Sequence, residues 1–424
     1  MFFRRGIKKS IFFALKRIKR IAIYSFIIFI LVNLTLVYAT PVGKITVLQG
    51  NVVVLKAKQK VANAVKLGDP VDVGDVYRTR ANGLAEIKFN NENILQIANN
   101  THIEITEYIL NKRQSSTITK LHEGKVRISS GQDFIKRAAA YLEDTKFEVH
   151  TPVAVAGIRG SSANVAHVNE ISGILLIIGS GYIFNPQFPD RRESIIAGTA
   201  SFTTSNQPPT PPVPAPQAVR NGVAMPGINP TNVIRAAIRL DAPPRDVVTG
   251  AIQGGVPANT VVSVAGREAP NAIVSIVTTA VQTAPTQSGS IAVAAVNVAS
   301  PDQISTVVAA IVNTNPQLVA NIVRDTIQAN PDQAVNIIAG AAAGVPNATE
   351  SISQIAQSAG VPLTSVQQAL SNAANVAIPT PAPTPAPTPA PAPSPESPAP
   401  PVPPPPPPVP PSPGGGGGGG GSPS

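Results

Sequence analysis

From Val42 onward, apolar and polar side chains alternate. Ala85-Glu86-Ile87-Lys88-Phe89, Ile103-Glu104-Ile105-Thr106, Val126-Arg127-Ile128 and Phe147-Glu148-Val149-His150 each repeat with a period of two. That period puts the apolar set on one face of a sheet and the charged set in water. Between the runs lie Gly74-Asp75, Asn82-Gly83, Asn90-Asn91, Asn99-Asn100 and Glu123-Gly124, pairs that favour turns. Several short strands at this spacing predict an antiparallel, all-β domain over 42–205. Gly173-Ile174-Leu175-Leu176-Ile177-Ile178-Gly179 is apolar on both faces and predicts a central strand. Thr151-Pro152 opens another strand, at a position where the missing proline donor is tolerated. Arg159-Gly160-Ser161 ends it. Phe134, Ile135, Ala138, Tyr141 and Leu142 fall at helical spacing, so a short helix is expected over 134–143.

Gln207-Pro208-Pro209-Thr210-Pro211-Pro212-Val213-Pro214-Ala215-Pro216 reads as a stiff, extended linker, here bounded at 206–227. Beyond it the alternation does not return. Prolines recur instead every 13–16 residues, at Pro230, Pro244, Pro257, Pro270, Pro285, Pro301, Pro316, Pro331, Pro346 and Pro362. Each interval predicts one short helix. Ser300-Pro301-Asp302-Gln303 and Asn330-Pro331-Asp332-Gln333 offer a cap, a proline at the first helical position and a capping-box Gln. Ile304, Val307, Val308 and Ile311 then lie on one helical face, as do Val319, Ile322, Val323 and Ile327. Helices of about ten residues are unstable alone, so neighbours must stack. An all-α array or compact bundle is expected over 228–377. Gly340-Ala341-Ala342-Ala343-Gly344 allows close helix approach; the run around it is too short to span a bilayer and predicts a soluble helix contact. From 378 to 424 the chain is Pro-Ala-Pro-Thr repeats, a Pro run and a Gly run, a composition that builds no core. It reads as a disordered tail, either a spacer or an inert end.

Charge sharpens the picture at the N-terminus. The 424 residues carry a net +10, but Arg4, Arg5, Lys8, Lys9, Lys16, Arg17, Lys19 and Arg20 leave only +2 for everything after residue 39. A nucleic-acid partner is therefore not expected, since it needs basic residues clustered on the folded part. The basic block precedes an apolar run from Ile21 to Tyr38, closed by Val37-Tyr38-Ala39. Residues 1–39 thus predict a signal peptide or an uncleaved signal anchor. Both place the chain from Thr40 onward outside the cytoplasm. Membrane contact is expected only through residues 21–38, if they are retained. There is no Cys, so no disulfide supports the fold.

A family resemblance rests on four pieces in order. Gly74-Asp75-Val76-Tyr77-Arg78-Thr79 followed by Ala85–Phe89 resembles the opening of FecR-type extracytoplasmic domains. Asn99-Asn100-Thr101-His102-Ile103-Glu104-Ile105 resembles that family's next strand, and Leu121 to Gly124-Lys125-Val126-Arg127 the one after. Thr151 to Ser162 resembles its Thr-Pro strand ending in Arg-Gly-Thr. The likeness covers about 43–185 and implies a β domain outside the cytoplasm that binds or senses. Two departures stand out. Ser161 replaces the family's Thr and the aromatic that follows is missing. Only about 20 residues precede the apolar run, too few for the cytoplasmic sigma-binding domain of the best-known members.

The matched residues divide by chemistry. Gly74, Asp75, Thr79, Gly124, Thr151, Pro152, Gly160 and Ser161 read as structural: Asp75 is expected to accept local backbone amides. Arg159 and Arg78 are the candidate binding residues, because a guanidinium can fork onto carbonyls or a carboxylate. His102, His122, His150 and His167 are isolated, without metal-ligand spacing; His150 and His167 are expected on solvated strand faces. Ser161-Ser162 lacks a nucleophile elbow. No cofactor, metal or catalytic residue is assigned, and an enzyme is not expected. The expected role is an exported envelope protein that binds or senses, with envelope proteins or cell-wall components as partners. The alternative is a structural surface protein with a β head, a helical scaffold and a Pro-rich stalk.

Overall fold

The computed structural model describes residues 40–111, 114–131 and 145–378. The predicted leader, the helix expected over 134–143 and the tail from 379 lie outside the described residues.

Among the described residues, fifteen strands form the first region. They are β1 (Gly43–Gln49), β2 (Val52–Leu55), β3 (Asn63–Ala64), β4 (Pro70–Val71), β5 (Val76–Thr79), β6 (Leu84–Phe89), β7 (Ile94–Ile97) and β8 (His102–Leu110). There follow β9 (Ser115–Ser129), β10 (Thr145–His150), β11 (Val155–Val168), β12 (Ile171–Phe184), β13 (Glu193–Ile196), β14 (Thr199–Thr204) and β15 (Val213–Pro214). The predicted alternation holds: Ala85, Ile87, Phe89, Ile103, Ile105, Val126 and Ile128 are all buried in one core. The central strand is β12, paired with β11 on one side and with β13 and β14 on the other. Two details depart from a set of short antiparallel strands. β9, β11 and β12 run for 14 or 15 residues, and β10 lies parallel to β9. The crossover between those two strands is long enough to return the chain in the same direction.

The long strands bend, so that each serves two parts of the sheet. β9 pairs with β8 and β10 through its first half, then with β7 and β11 after Gly124. β11 pairs with β10 up to Ile158 and with β9 from Ser162. The break falls at Gly160 (φ 70°), opposite Gly179 (φ 82°) on β12, where the register shifts. An L side chain strains at such φ values. Arg159-Gly160 is thus a corner inside a continuous strand, not the strand end that the sequence predicted.

Among the described residues, eleven helices follow. They are α1 (Ala215–Val223), α2 (Pro230–Arg239), α3 (Pro244–Gln253), α4 (Ala258–Glu268), α5 (Ile273–Thr283) and α6 (Ser288–Val296). The last five are α7 (Ile304–Thr314), α8 (Val319–Ala329), α9 (Ala334–Gly344), α10 (Thr349–Ser358) and α11 (Leu363–Ala373). Odd helices pack on odd and even on even, α7 with α9 most extensively, giving a two-layered array whose repeat is a helix pair. Residues Ala269, Ala284, Asn315, Asn330 and Val345 each stop a helix at φ near −135°, and the next residue is a proline that opens a single 3-10 turn. A residue before proline is driven out of the helical region, so one residue suffices for each joint. The capping box is half realised in one unit: Ser300 N donates to Gln303 Oε1 at 3.1 Å. Asn330 makes no side-chain cap. Side-chain amides tie successive layers instead, Asn315 Nδ2 donating to Pro285 O and Gln287 Oε1 accepting from Ala258 N. Gly340 and Gly344 face α7, where a Cβ would meet the Ser305 and Ala309 carbonyl oxygens. The small-residue pair is a close helix–helix contact.

Residues 206–227 are not a spacer. Thr210 N donates to Phe202 O, Val213–Pro214 pairs with β14, and α1 buries Ala218, Val219 and Val223. A proline is tolerated on an edge strand because no donor is required there. One apolar core then runs from Ala166, Ile171 and Phe202 of the sheet through the helices to Val366 and Ala369 of α11. Polar bonds reinforce the junction. Asp241, at φ 60° just past α2, accepts from Lys125 Nζ (2.8 Å) and Asn164 Nδ2 (3.1 Å).

Candidate functional site

Most of the expected structural residues sit in local hydrogen-bond knots. Asp75 is fully buried; its carboxylate accepts from Lys56 Nζ (2.8 Å), Asp72 N (2.9 Å) and Ala57 N (3.2 Å). Burial, and then the Asp75 charge, push the Tyr77 phenol far above its ordinary range. Thr79 Oγ1 donates to Ala98 O and accepts from Thr101 N. Gly74 and Gly124 both hold positive φ. Thr151 Oγ1 accepts from Ala154 N (2.8 Å) and bonds Ser172 Oγ, and Pro152 beside it is exposed. Ser161 Oγ donates to Ser180 O (2.6 Å), and Ser162 Oγ is shared with Ser129 and Arg127. Among the described residues neither serine hydroxyl is bonded to a histidine or a carboxylate; both are consumed at the corner.

The two candidate arginines do not meet. Arg78 is exposed on β5, opposite His102 of β8. His102 stacks on His122 at 4.5 Å, and His122 Nε2 lies 3.6 Å from Glu104 Oε2. Burial, then the charges of Arg78 and His122, hold the His102 ring below its usual pKa. His167 is not on a solvated face: it is buried, bonded to Ser172 Oγ at 2.9 Å, and burial lowers its pKa too.

Arg159 lines an open recess of about 420 Å³ with Ser180, Tyr182, Arg192, Ser194 and Ile196. Its floor is a row across four strands, Glu148–Gly157–Tyr182–Ser194. Tyr182 lies flat over β11 because Gly157 has no side chain; a Cβ there would enter the phenol ring. The hydroxyl crosses β11 and donates to Glu148 Oε1 (2.5 Å), while Glu148 Oε2 meets His150 Nε2 at 2.8 Å and Lys146 Nζ at 4.0 Å. Period two places Glu148 in water; it is only 9% exposed because this row covers it. Burial raises its pKa, but the bonds from His150 and Tyr182 and the charge of Lys146 outweigh that and hold it below the ordinary range. Burial and the Glu148 charge push the Tyr182 phenol up, against the pull of Arg192 and Arg159. The Arg192 guanidinium stacks on the Tyr182 ring at 3.5 Å. Neither Arg159 nor Arg192 has an ion-pair partner among the described residues.

A second recess, of about 380 Å³, lies between sheet and helices. Its charges are spent internally, Lys125 on Asp241 and Arg239 on Glu268. Of these two recesses, the first is the one whose arginines have no ion-pair partner among the described residues. Of its parts, sequence reading found Arg159 alone. Tyr182, Arg192, Glu148 and Gly157 become neighbours through strand register, and the one local signal was Arg191-Arg192 in a turn. Among the described residues no cluster of three or more His, Asp or Glu is placed to hold a metal, and no single helix is long and apolar enough to cross a membrane.

Residues 75–180 match the family model described as FecR protein. The recess begins in that segment and is completed by β13, beyond it. Two solved structures of a candidate anti-sigma factor from Parabacteroides distasonis ATCC 8503 are similar to part of the chain. One is 12% identical, covering 36% of this chain and 64% of that one, with TM-score 0.26. The other is 13% identical, covering 39% and 74%, with TM-score 0.27. A cell surface anchoring domain is 30% identical over 16% of this chain and 86% of its own, with TM-score 0.15. The chain thus spans under two thirds of the first of these. Comparison with curated proteins gives no match. The matched family is regulatory in kind rather than enzymatic.

Proposed function

We propose, from a chain whose residues 75–180 form a FecR-like domain, that this is an exported bacterial envelope protein in which that domain is a binding and sensing module. The observation that carries the reading is the open recess on the domain, where Arg159 and Arg192 remain unneutralised. A buried functional group would have been paired; an exposed, stacked guanidinium is suited to meeting a ligand. The basic N-terminal block and apolar run support export. The partners we assign are envelope proteins or cell-wall components, with Arg159 as the principal contact and Arg78 as a second, separate one.

Cell fractionation of the full chain, together with transcript profiles of wild-type, deletion and R159Q/R192Q strains, tests this. Recovery outside the cytoplasm, with the double variant reproducing the deletion profile, is the expected result. Retention in the cytoplasm, or a deletion that changes no transcript, would sink it. A structural envelope role is the second reading, favoured by the continuous core that joins sheet and array. That reading predicts altered envelope integrity in the deletion strain and none in the double variant.

A further inference from the structure

The recess has a more specific chemistry than positive charge. Arg159 and Arg192 line it, and the Glu148 carboxylate under the Tyr182 hydroxyl is already engaged by Tyr182 and His150, with Lys146 at 4.0 Å. Both Glu148 oxygens thus already have partners, and neither guanidinium pairs with them among the described residues. The Arg192 guanidinium carbon lies 3.5 Å from the centre of the Tyr182 ring, which restrains the group, and the guanidinium has no hydrogen-bond acceptor among the described residues. A planar fork held by stacking fits a planar, two-oxygen acceptor better than a spherical ion. Apolar surface lies alongside: Ile196 lines the recess at 65% exposure, and Ile178, near it on β12, is 64% exposed. These two are the largest aliphatic exposures on the later strands of the sheet. An aliphatic group next to a carboxylate would cover them.

We propose that the Arg159–Arg192 recess binds a carboxylate carried beside an aliphatic group, as at a peptide C-terminus or at an acidic side chain with an apolar neighbour. This rests on reading the recess as the binding face of the domain. Arg192 supplies the oriented fork, Arg159 the second charge, and Ile196 with Ile178 the apolar rim. Gly157 and Glu148 act by positioning Tyr182 beneath Arg192.

The test uses the purified full chain and three short peptides followed by calorimetry: acetyl-Ala-Ala-Leu with a free C-terminus, the same peptide amidated, and amidated acetyl-Ala-Glu-Leu. Saturable binding of the first or third, with none for the amidated first, is expected; which of the two binds identifies the carboxylate source. R159Q and R192Q should each weaken that binding about tenfold, the loss of one charged hydrogen bond, and K66Q should leave it unchanged. Gly157→Ala, which displaces Tyr182, should weaken it as well while Arg159 and Arg192 are intact. Equal binding of the amidated peptide, affinity insensitive to both arginine variants, or stronger binding of inorganic phosphate would overturn the assignment. Carboxylate binding with unchanged transcripts in the R159Q/R192Q strain would instead leave the site standing and defeat the sensing role.

Discussion

The sheet and the helical array solve the same problem with opposite means. The sheet joins residues far apart in sequence: Glu148, Gly157, Tyr182 and Ser194 meet only because four strands hold one register. It buries polar knots such as Asp75 and Thr79 and bends its longest strands at glycines. The array uses almost nothing but Ala, Val and Ile in its core and contacts its second neighbour along the chain. A set of near-local contacts can lose one unit and keep the rest. A sheet with shared long strands cannot. The lesson is that a site requiring several fixed side chains belongs on the sheet, while the array supplies extent and rigidity.

Four changes would break or sharpen that contrast. The largest effect is expected at their junction. Phe202, 1% exposed, lies between Gly173 of β12 and Gly222 of α1. Phe202→Ala should cost about 3–5 kcal/mol and split a single denaturant transition into two; an unsplit transition would mean that the remaining junction contacts, the Asp241 bonds among them, suffice to couple the two regions. Next, Gly340→Val places side chain against the Ser305 carbonyl and should cost about 1–3 kcal/mol. Hydrogen exchange should then rise in α7 and α9 and stay unchanged in β6–β9, and a loss of protection across the sheet would contradict modularity. Removing one cap is smaller: Asn229 Oδ1 accepts from Thr231 N at 3.0 Å, and Asn229→Ala should cost about 1 kcal/mol, visible as a lower denaturation midpoint.

The smallest effect is a slope. His102 and His167, both in the sheet region, have folded pKa values below their unfolded ones. Between those values the unfolded chain binds more protons, so stability should fall as pH drops below about 6.5, the unfolded histidine value. Acid opposes folding here because charging either ring in place is costly. His167→Gln should reduce the slope whatever it does to absolute stability. The array contains no histidine, so exchange rates within it should show no such step.

Legibility in the sequence followed the same division. Ile103 and Ile105 declare their strand by alternation, and Pro316 or Pro331 declares a helix start, because both effects are decided within a few residues. Asp75 was readable as an amide acceptor for the same reason. Glu148 was not: its alternation is correct, but what covers it is Tyr182, thirty-four residues away. The prolines of 206–227 describe a stiff segment correctly and say nothing of the edge of β14 that it lines. Arg159 could be singled out by type and position; Arg192, its neighbour in space, could not.

The one-residue joints of the array carry a consequence for survival among proteases. A protease must draw a stretch of backbone into its cleft, and exposed loop tips are where chains are first nicked. Between α4 and α5, α5 and α6, α7 and α8, α8 and α9, and α9 and α10, the only residue outside helical turns is followed by a proline. Such a joint offers nothing to draw in. Cutting the folded array there requires a helix to melt first, so its lifetime among secreted proteases should follow its local unfolding rate. Brief digestion should leave 258–296 and 304–358 uncut while nicking the exposed turn at 186–192.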